Sequence, residues 1–235
     1  MQILVSTITD SAIDLADMRN SQFIDQSGLP SSELIRYANM AYKDLYQQII
    51  LAKEQYYITT TTFQVTANQS SYPLPADFYK LNGVDLAIDN SGRFLTLTPY
   101  MFKERNKFRS GLALTVAPYG QIYKYMIVGN NIQFIPLPTQ SSNITLWYTP
   151  EPQKINSFSD TLSIPIGSDE YLSLYMACAM KAKEEDDNSQ LNAKRLEVLD
   201  QLKNSLKDRD SGSASYIVDE SEVNAGALYP FRGFD

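Results

Sequence analysis

Apolar positions recur at helical spacing near both ends of this chain and at strand spacing through its middle. Ile8, Ala12, Leu15, Ala16 and Arg19 fall on one face of a short first helix beginning near Thr7 or Thr9. A polar connector with Gly28 and Pro30 follows, and Ser31 is suited to cap a second helix whose first turn carries Glu33. On that helix Leu34, Ala38, Ala41, Leu45 and Ile49 form one stripe, broadened by Tyr42, Tyr46 and Ile50, and the pattern ends between Lys53 and Tyr56.

From residue 57 the period changes. Residues 57–65 are rich in Thr, with Ile58, Phe63 and Val65 as the larger apolar members, which reads as a strand. Prolines punctuate the stretch from Pro73 to Pro165. Between them lie strand candidates at 78–88, 93–97, 114–117, 122–128, 132–135 and 144–148, the spacing of a small antiparallel sheet, sandwich or barrel. Gly129-Asn130-Asn131 suits a tight hairpin turn. Residues 99–108 read as a short helix with Pro99 in its first turn.

Helix returns after Gly167, capped by Ser168 or Asp169 and running to about Lys183. Tyr171, Leu172, Leu174, Tyr175, Met176, Ala177, Cys178, Ala179 and Met180 make it apolar nearly all round, so it should be central. Glu184-Glu185-Asp186-Asp187-Asn188 reads as a solvated turn. A fourth helix over 189–209 places Leu196, Leu199, Leu202 and Leu206 on one face. The fold class is therefore α+β: a four-helix bundle with an antiparallel β region inserted between helices 2 and 3, and an extended C-terminal arm. The expected divisions are 1–56 (first helix pair), 57–166 (inserted β region), 167–210 (second helix pair) and 211–235 (arm).

The arm opens Ser211-Gly212-Ser213-Ala214-Ser215 and then spaces apolar and aromatic anchors along a flexible composition: Tyr216, Ile217, Val218, Leu228, Tyr229, Phe231 and Phe234. Sparse anchors bury too little surface to offset the entropy of ordering, so such a segment orders on a surface. That surface is a partner, which the anchors would grip as an interface, or the chain's own domain.

Composition narrows the function. The formal charge is −7, which argues against a dedicated nucleic-acid binder. The chain has 16 Tyr, a residue suited to extended interfaces. It has no His, which removes Ser-His and Cys-His nucleophilic pairs and the commonest metal ligand. The single Cys178 lies among apolar residues and reads as a structural thiol. No phosphate-binding, dinucleotide or calcium-loop motif is present in the sequence. The expectation is a non-enzyme without cofactor or metal. No stretch approaches the length of a membrane helix, and Met1-Gln2-Ile3-Leu4-Val5 runs at once into polar residues, unlike a secretory signal. The protein is expected to be made and kept in a cytoplasm, or in a particle assembled there. Lys103, Arg105, Lys107 and Arg109 concentrate positive charge, as a solvated helix face or as a patch that meets phosphates or an acidic neighbouring subunit.

Five stretches together resemble the head–tail connector (adaptor) proteins of tailed bacteriophages, the tail tubular A-like and head-completion family. They are 34–41 (Leu34-Ile35-Arg36-Tyr37-Ala38-Asn39-Met40-Ala41) with Leu45-Tyr46, and Tyr72-Pro73-Leu74-Pro75-Ala76-Asp77-Phe78 running on to Val84-Asp85. Ile135-Pro136-Leu137-Pro138 leading to Trp147-Tyr148-Thr149-Pro150 comes next, then Glu170-Tyr171-Leu172 through Asp186-Asp187, and Asp208-Arg209-Asp210-Ser211-Gly212 with Ile217-Val218-Asp219. The resemblance covers about residues 30–220; residues 224–235 match no pattern of the family.

The resemblance implies a homo-oligomeric, dodecameric ring in the virion neck, between the portal and the next tail or nozzle component, with genomic DNA passing through its channel. It implies that the arm reaches the portal, and it brings no catalytic residue. The competing readings are another neck or tail ring or a stopper, and a carboxylate-dependent cell-wall hydrolase of the tail, for which the β region offers Asp77, Asp85, Asp89 and Glu104 without an evident pairing.

Overall fold

The computed structural model describes residues 1–19, 23–24, 32–88, 92–107, 115–116, 120–121 and 123–208. In chain order these form β1 (Gln2–Leu4), α1 (Val5–Ala16), α2 (Glu33–Ala52), β2 (Thr59–Val65), β3 (Ser71–Pro73), β4 (Phe78–Ala87), β5 (Phe94–Thr96) and β6 (Thr98–Pro99). There follow β7 (Thr115–Val116), β8 (Gly120–Gln121), β9 (Lys124–Val128), β10 (Asn131–Ile135), β11 (Ser142–Pro150), β12 (Thr161–Ser163), α3 (Ser168–Lys183) and α4 (Ser189–Asp208). Short 3-10 turns cover Glu54–Tyr57 and Phe102–Glu104. Among the described residues the fold is α+β, with four helices and largely antiparallel sheets.

The helices meet around α3, which packs on α1, α2 and α4. Its Tyr171, Leu172, Leu174, Met176, Ala177 and Met180 are buried, while Tyr175, Cys178 and Ala179 are half-buried. The α2 stripe behaves as its spacing predicts: Leu34, Ala38, Ala41, Leu45 and Ile49 are buried, as are Tyr42 and Tyr46. An ion pair from Lys183 to Glu33 joins the end of α3 to the start of α2. That contact, with help from Tyr37 and Arg36, holds the Glu33 carboxyl below its ordinary value.

The other two helices correct the sequence reading. α1 starts at Val5, earlier than Thr7 or Thr9, and buries Val5, Ile8, Thr9, Ala12, Ile13 and Ala16. Thr9 is no cap; its hydroxyl donates back to the Val5 carbonyl at 2.9 Å. Leu15 is exposed, and Arg19 lies past the helix in an ion pair with Asp14. On α4 the buried positions are Val198, Leu202 and Leu206, whereas Leu196 faces solvent.

The caps differ too. Ser31 lies outside the described residues, and Ser32 stands before α2 without a capping side-chain bond. Gly167 precedes α3 at φ +84°, a left-handed backbone that Gly adopts without strain. Ser168 is thereby the first helical residue, and it is buried rather than turned to cap. Asp187 does serve α4: its carboxylate accepts the Ser189 N–H at 2.9 Å. That backbone bond leads in holding its carboxyl below the usual range.

Two four-stranded sheets, in the orders β2-β11-β4-β5 and β3-β10-β9-β6, enclose a second apolar layer. Val65, Val84, Leu86, Ile144 and Leu146 come from the first sheet, and Tyr72, Ile132 and Phe134 from the other. Alternation along β11 turns Ile144, Leu146 and Tyr148 inward and Asn143 and Trp147 outward. The turn between β9 and β10 is the expected hairpin, with Gly129 at φ +58° and Val128 opposite Asn131. Gly at the first central position fits a type II′ turn.

Three features depart from the expected antiparallel insertion. β6 pairs with β9 in parallel. β1 precedes α1 and pairs with β12, so strand structure also lies outside the stretch between α2 and α3. Ile155, Leu162 and Ile164 are buried with the helices rather than in the sheet layer. The short helix expected at 99–108 is a 3-10 turn, with Pro99 in β6 ahead of it.

The chain leaving β11 is tied to α2 by side chains. The Asn39 amide donates to the Ile155 carbonyl at 2.8 Å and accepts the Ile155 N–H at 2.9 Å. The Tyr46 hydroxyl donates to the Pro150 carbonyl at 2.6 Å. Beside it Tyr46 stacks on Tyr57 with ring centroids 4.3 Å apart, and Tyr56 meets Tyr57 edge-on. The buried Tyr57 hydroxyl finds no hydrogen-bond partner among the described residues.

Leu174→Ala and Met176→Ala each empty a fully buried site. Each should destabilise the fold by about 2–5 kcal/mol, read from urea unfolding. A change near zero in both would place the core elsewhere.

Burial holds the phenols of Tyr46, Tyr57 and Tyr171 above the ordinary tyrosine value, and for Tyr171 the hydrogen bond to the Asp44 carboxylate adds to it. A raised folded-state value favours the neutral phenol. The resulting stability is complete below the unfolded value near pH ~10 and is lost as pH rises beyond it. The contribution of these three phenols should therefore hold flat from neutral pH to about 10 and fall above it, with part of the tyrosinate absorbance appearing only on unfolding.

Candidate assembly surfaces

Side chains that combine exposure, apolar area and a fixed orientation gather in two places on the β layers. The first is the outward face of the β2-β11-β4-β5 sheet. Register places Trp147 beside Thr60, and Thr145 between Thr62 and Asp85. Asp85 in turn faces Thr96 on β5, two positions from Phe94. Trp147 Nε1 donates to Asp85 Oδ2 at 2.6 Å, and Thr96 Oγ1 donates to Asp85 Oδ1 at 2.8 Å. The carboxylate thus sets the indole from one strand and is itself set from another. Thr62 and Thr145 share a hydroxyl hydrogen bond at 3.1 Å. Trp147 is 43% exposed and Phe94 56%. An aromatic held in a single orientation loses little freedom when a partner covers it, which is how binding anchors are built.

The second place is the turn after β6. Lys103, Arg105 and Lys107 are all exposed there, and Arg109 lies outside the described residues. The turn does not align the cations as a helical face would. Instead the Arg105 guanidinium lies 4.4 Å from the Phe102 ring centroid and donates to the Phe102 carbonyl at 3.1 Å. Phe102 is 62% exposed. Together with Tyr100, Gln133 and Leu137 these residues line a groove of about 480 Å³. Its chemistry is mixed, apolar along the walls with a cation at the rim. Such a groove suits an aromatic side chain next to an acidic group.

A smaller cleft of about 310 Å³ lies where the chain leaves β11, between Asn39, Tyr42 and Lys43 of α2 and Tyr79, Pro152 and Lys154. Asn39 is occupied there by Ile155, so its amide serves the fold.

Asp77 accepts the Tyr148 hydroxyl at 3.0 Å, and Asp85 holds Trp147 and Thr96. Glu104 ends the short 3-10 turn, between Lys103 and Arg105. Asp89 lies outside the described residues. Both placed aspartates are thus engaged in orienting aromatic side chains. Burial pushes the Cys178 thiol up, away from the thiolate a nucleophile needs. Among the described residues no group of three or more His, Cys, Asp and Glu is arranged to hold a metal ion. No helix among them is long and apolar enough to cross a membrane.

The arm residues Tyr216, Ile217, Val218, Leu228, Tyr229, Phe231 and Phe234 all lie outside the described residues. The Trp147 platform was missed from sequence. Its partners sit on three strands, and only the outward phase of Trp147 within β11 hinted at it.

No curated protein matches the chain. A family model does: that of the SU10 adaptor protein matches residues 4–219. The match begins in β1, runs through every helix and both sheets, and extends past α4 as far as Asp219. The chain belongs to the SU10 adaptor protein family and is thus a phage adaptor protein, a component of the virion.

Proposed function

We propose that this adaptor is a structural ring subunit that joins the portal of the phage head to the tail, assembled in the host cytoplasm. The family match across residues 4–219 carries the reading. In this reading the four helices act as one bundle that carries the β region between α2 and α3 as an insertion. Twelve copies form a dodecamer through heterologous contacts that close by rotation. The fixed Trp147 platform and the Phe102–Arg105 groove supply what repeated contacts need: preoriented aromatics and a rim of charge. The C-terminal arm docks on the portal or on neighbouring subunits, and the next tail component meets the β region. The ring does no chemistry; it encloses the channel through which DNA passes.

Deleting residues 213–235 should leave a folded chain that no longer docks stably on its portal. The fold should survive because, among the described residues, the buried clusters run no further than Leu206. Docking should fail because clustered anchors carry arm affinity, and repetition around a ring multiplies each small loss. Circular dichroism checks the fold and co-sedimentation with portal checks docking. Undiminished binding would move the docking surface onto the folded domain.

Reversing Arg105 and Arg109 to Glu separates two roles for the basic turn. Loss of ring assembly, seen by electron microscopy, assigns it to an acidic neighbour. Intact rings with impaired DNA retention assign it to the channel. Full assembly and infectivity would make it a solvated surface.

A further inference from the structure

A strand at the edge of a sheet presents unpaired backbone groups, and natural proteins guard such edges by shortening them or by placing Pro, charge or a bulge there. Among the described residues the two four-stranded sheets end on β2, β5, β3 and β6. Three of these are guarded. β5 is 3 residues long, β3 is 3 residues and ends in Pro73, and β6 is 2 residues and contains Pro99.

β2 is different. It runs 7 residues, Thr59-Thr60-Thr61-Thr62-Phe63-Gln64-Val65, without Pro, Gly or charge. Its register with β11 is unbroken from Val65 to Thr59, so no bulge bends it away. The open edge is roughly 24 Å long. In an antiparallel ladder about half of the backbone groups point away from the partner. Among the described residues no strand and no other backbone group takes up those of β2. Phe63, at the margin of the inner apolar layer, is only half-buried. An unguarded polar edge beside a half-covered aromatic is the surface an added strand completes.

We infer that the outer edge of β2 receives an extended strand from the C-terminal segment of a neighbouring copy, centred on Tyr216-Ile217-Val218. This rests on the ring reading above. The segment suits the edge, because it joins an aromatic to two β-branched residues and is followed at once by Asp219-Glu220, charges that limit further pairing. Alternation sends Ile217 to one face and Tyr216 and Val218 to the other. One set covers Phe63 while the other lies along Thr60 and Thr62. α4 ends at Asp208, and the Gly/Ser-rich run to Tyr216 spans roughly 25 Å when extended, enough to leave its own helix for an adjacent subunit. The stoichiometry also closes: each copy gives one strand and offers one edge, so a cyclic assembly leaves neither unused.

Amide hydrogen exchange on the full-length protein tests this, comparing dilute with concentrated samples and wild type with Ile217→Pro and Ile217→Leu. Pro removes an N–H and breaks strand pairing at residue 217, and Leu preserves it. Sedimentation velocity on the same samples reports assembly. In concentrated wild type and Ile217→Leu, the slower-exchanging fraction of the 59–65 amides should grow, with protection rising at least roughly tenfold over the dilute sample. Ile217→Pro should lose that gain, and a synthetic peptide of residues 213–223 added to it should restore it.

Equal protection in wild type and Ile217→Pro overturns the inference. Pro-sensitive protection that ignores concentration also overturns it, by assigning the strand to the same chain. Rings that form with the β2 edge unprotected overturn the strand and leave the ring reading standing. A protein that stays monomeric while the peptide protects β2 removes the ring and keeps the edge site.

Discussion

A backbone that enters an apolar interior must find partners for its N–H and C=O groups, and at Ile155 one side chain supplies both. Ile155 is 1% exposed and lies in a stretch without regular structure between β11 and β12. The Asn39 amide, held on α2, donates to its carbonyl and accepts its N–H. Leaving either group unpaired would cost about 1–3 kcal/mol. Much follows from that contact and its neighbour, Tyr46 on Pro150. Together they pin the chain where it leaves the sheets; beyond them β12 pairs with β1 and Gly167 starts α3 amid the other helices.

The two apolar clusters divide the work. One is built around α3 and holds the helices; the other is enclosed by two small sheets. The sheets leave outward faces and edges that the helices do not cover, and the preoriented aromatics are found there. On the sheets, Asp77 accepts the Tyr148 hydroxyl and Asp85 orients Trp147.

The helices were legible in sequence because their apolar spacing is regular over many turns: the α2 stripe from Leu34 to Ile49 is buried as read. Errors arose where tertiary contacts outrank local signals. Ser168 resembles a cap, yet the left-handed Gly167 makes the turn and frees Ser168 for burial. Leu196 fits a leucine stripe, but α4, packed on α3 and α2, buries Val198, Leu202 and Leu206 instead. Strands of two or three residues carry no readable period, and β1 with β12 exists only through a pairing across most of the chain. The basic turn was found by composition while its geometry was not, since a 3-10 turn and a helix start from similar residues. The Trp147–Asp85–Thr96 arrangement depends on three strands in register, which no local window contains.

The placement of Trp147 has a spectroscopic consequence. It is the single tryptophan of the chain, so ultraviolet emission excited at the red edge of protein absorption comes from one known spot. That spot is a half-exposed indole against a carboxylate, on the outward face of a sheet. Any subunit or tail component that covers the face must change its solvent contact, and with it the colour and yield of the emission. The molecule thus carries a built-in, label-free reporter of what happens to that side of the β layers during assembly.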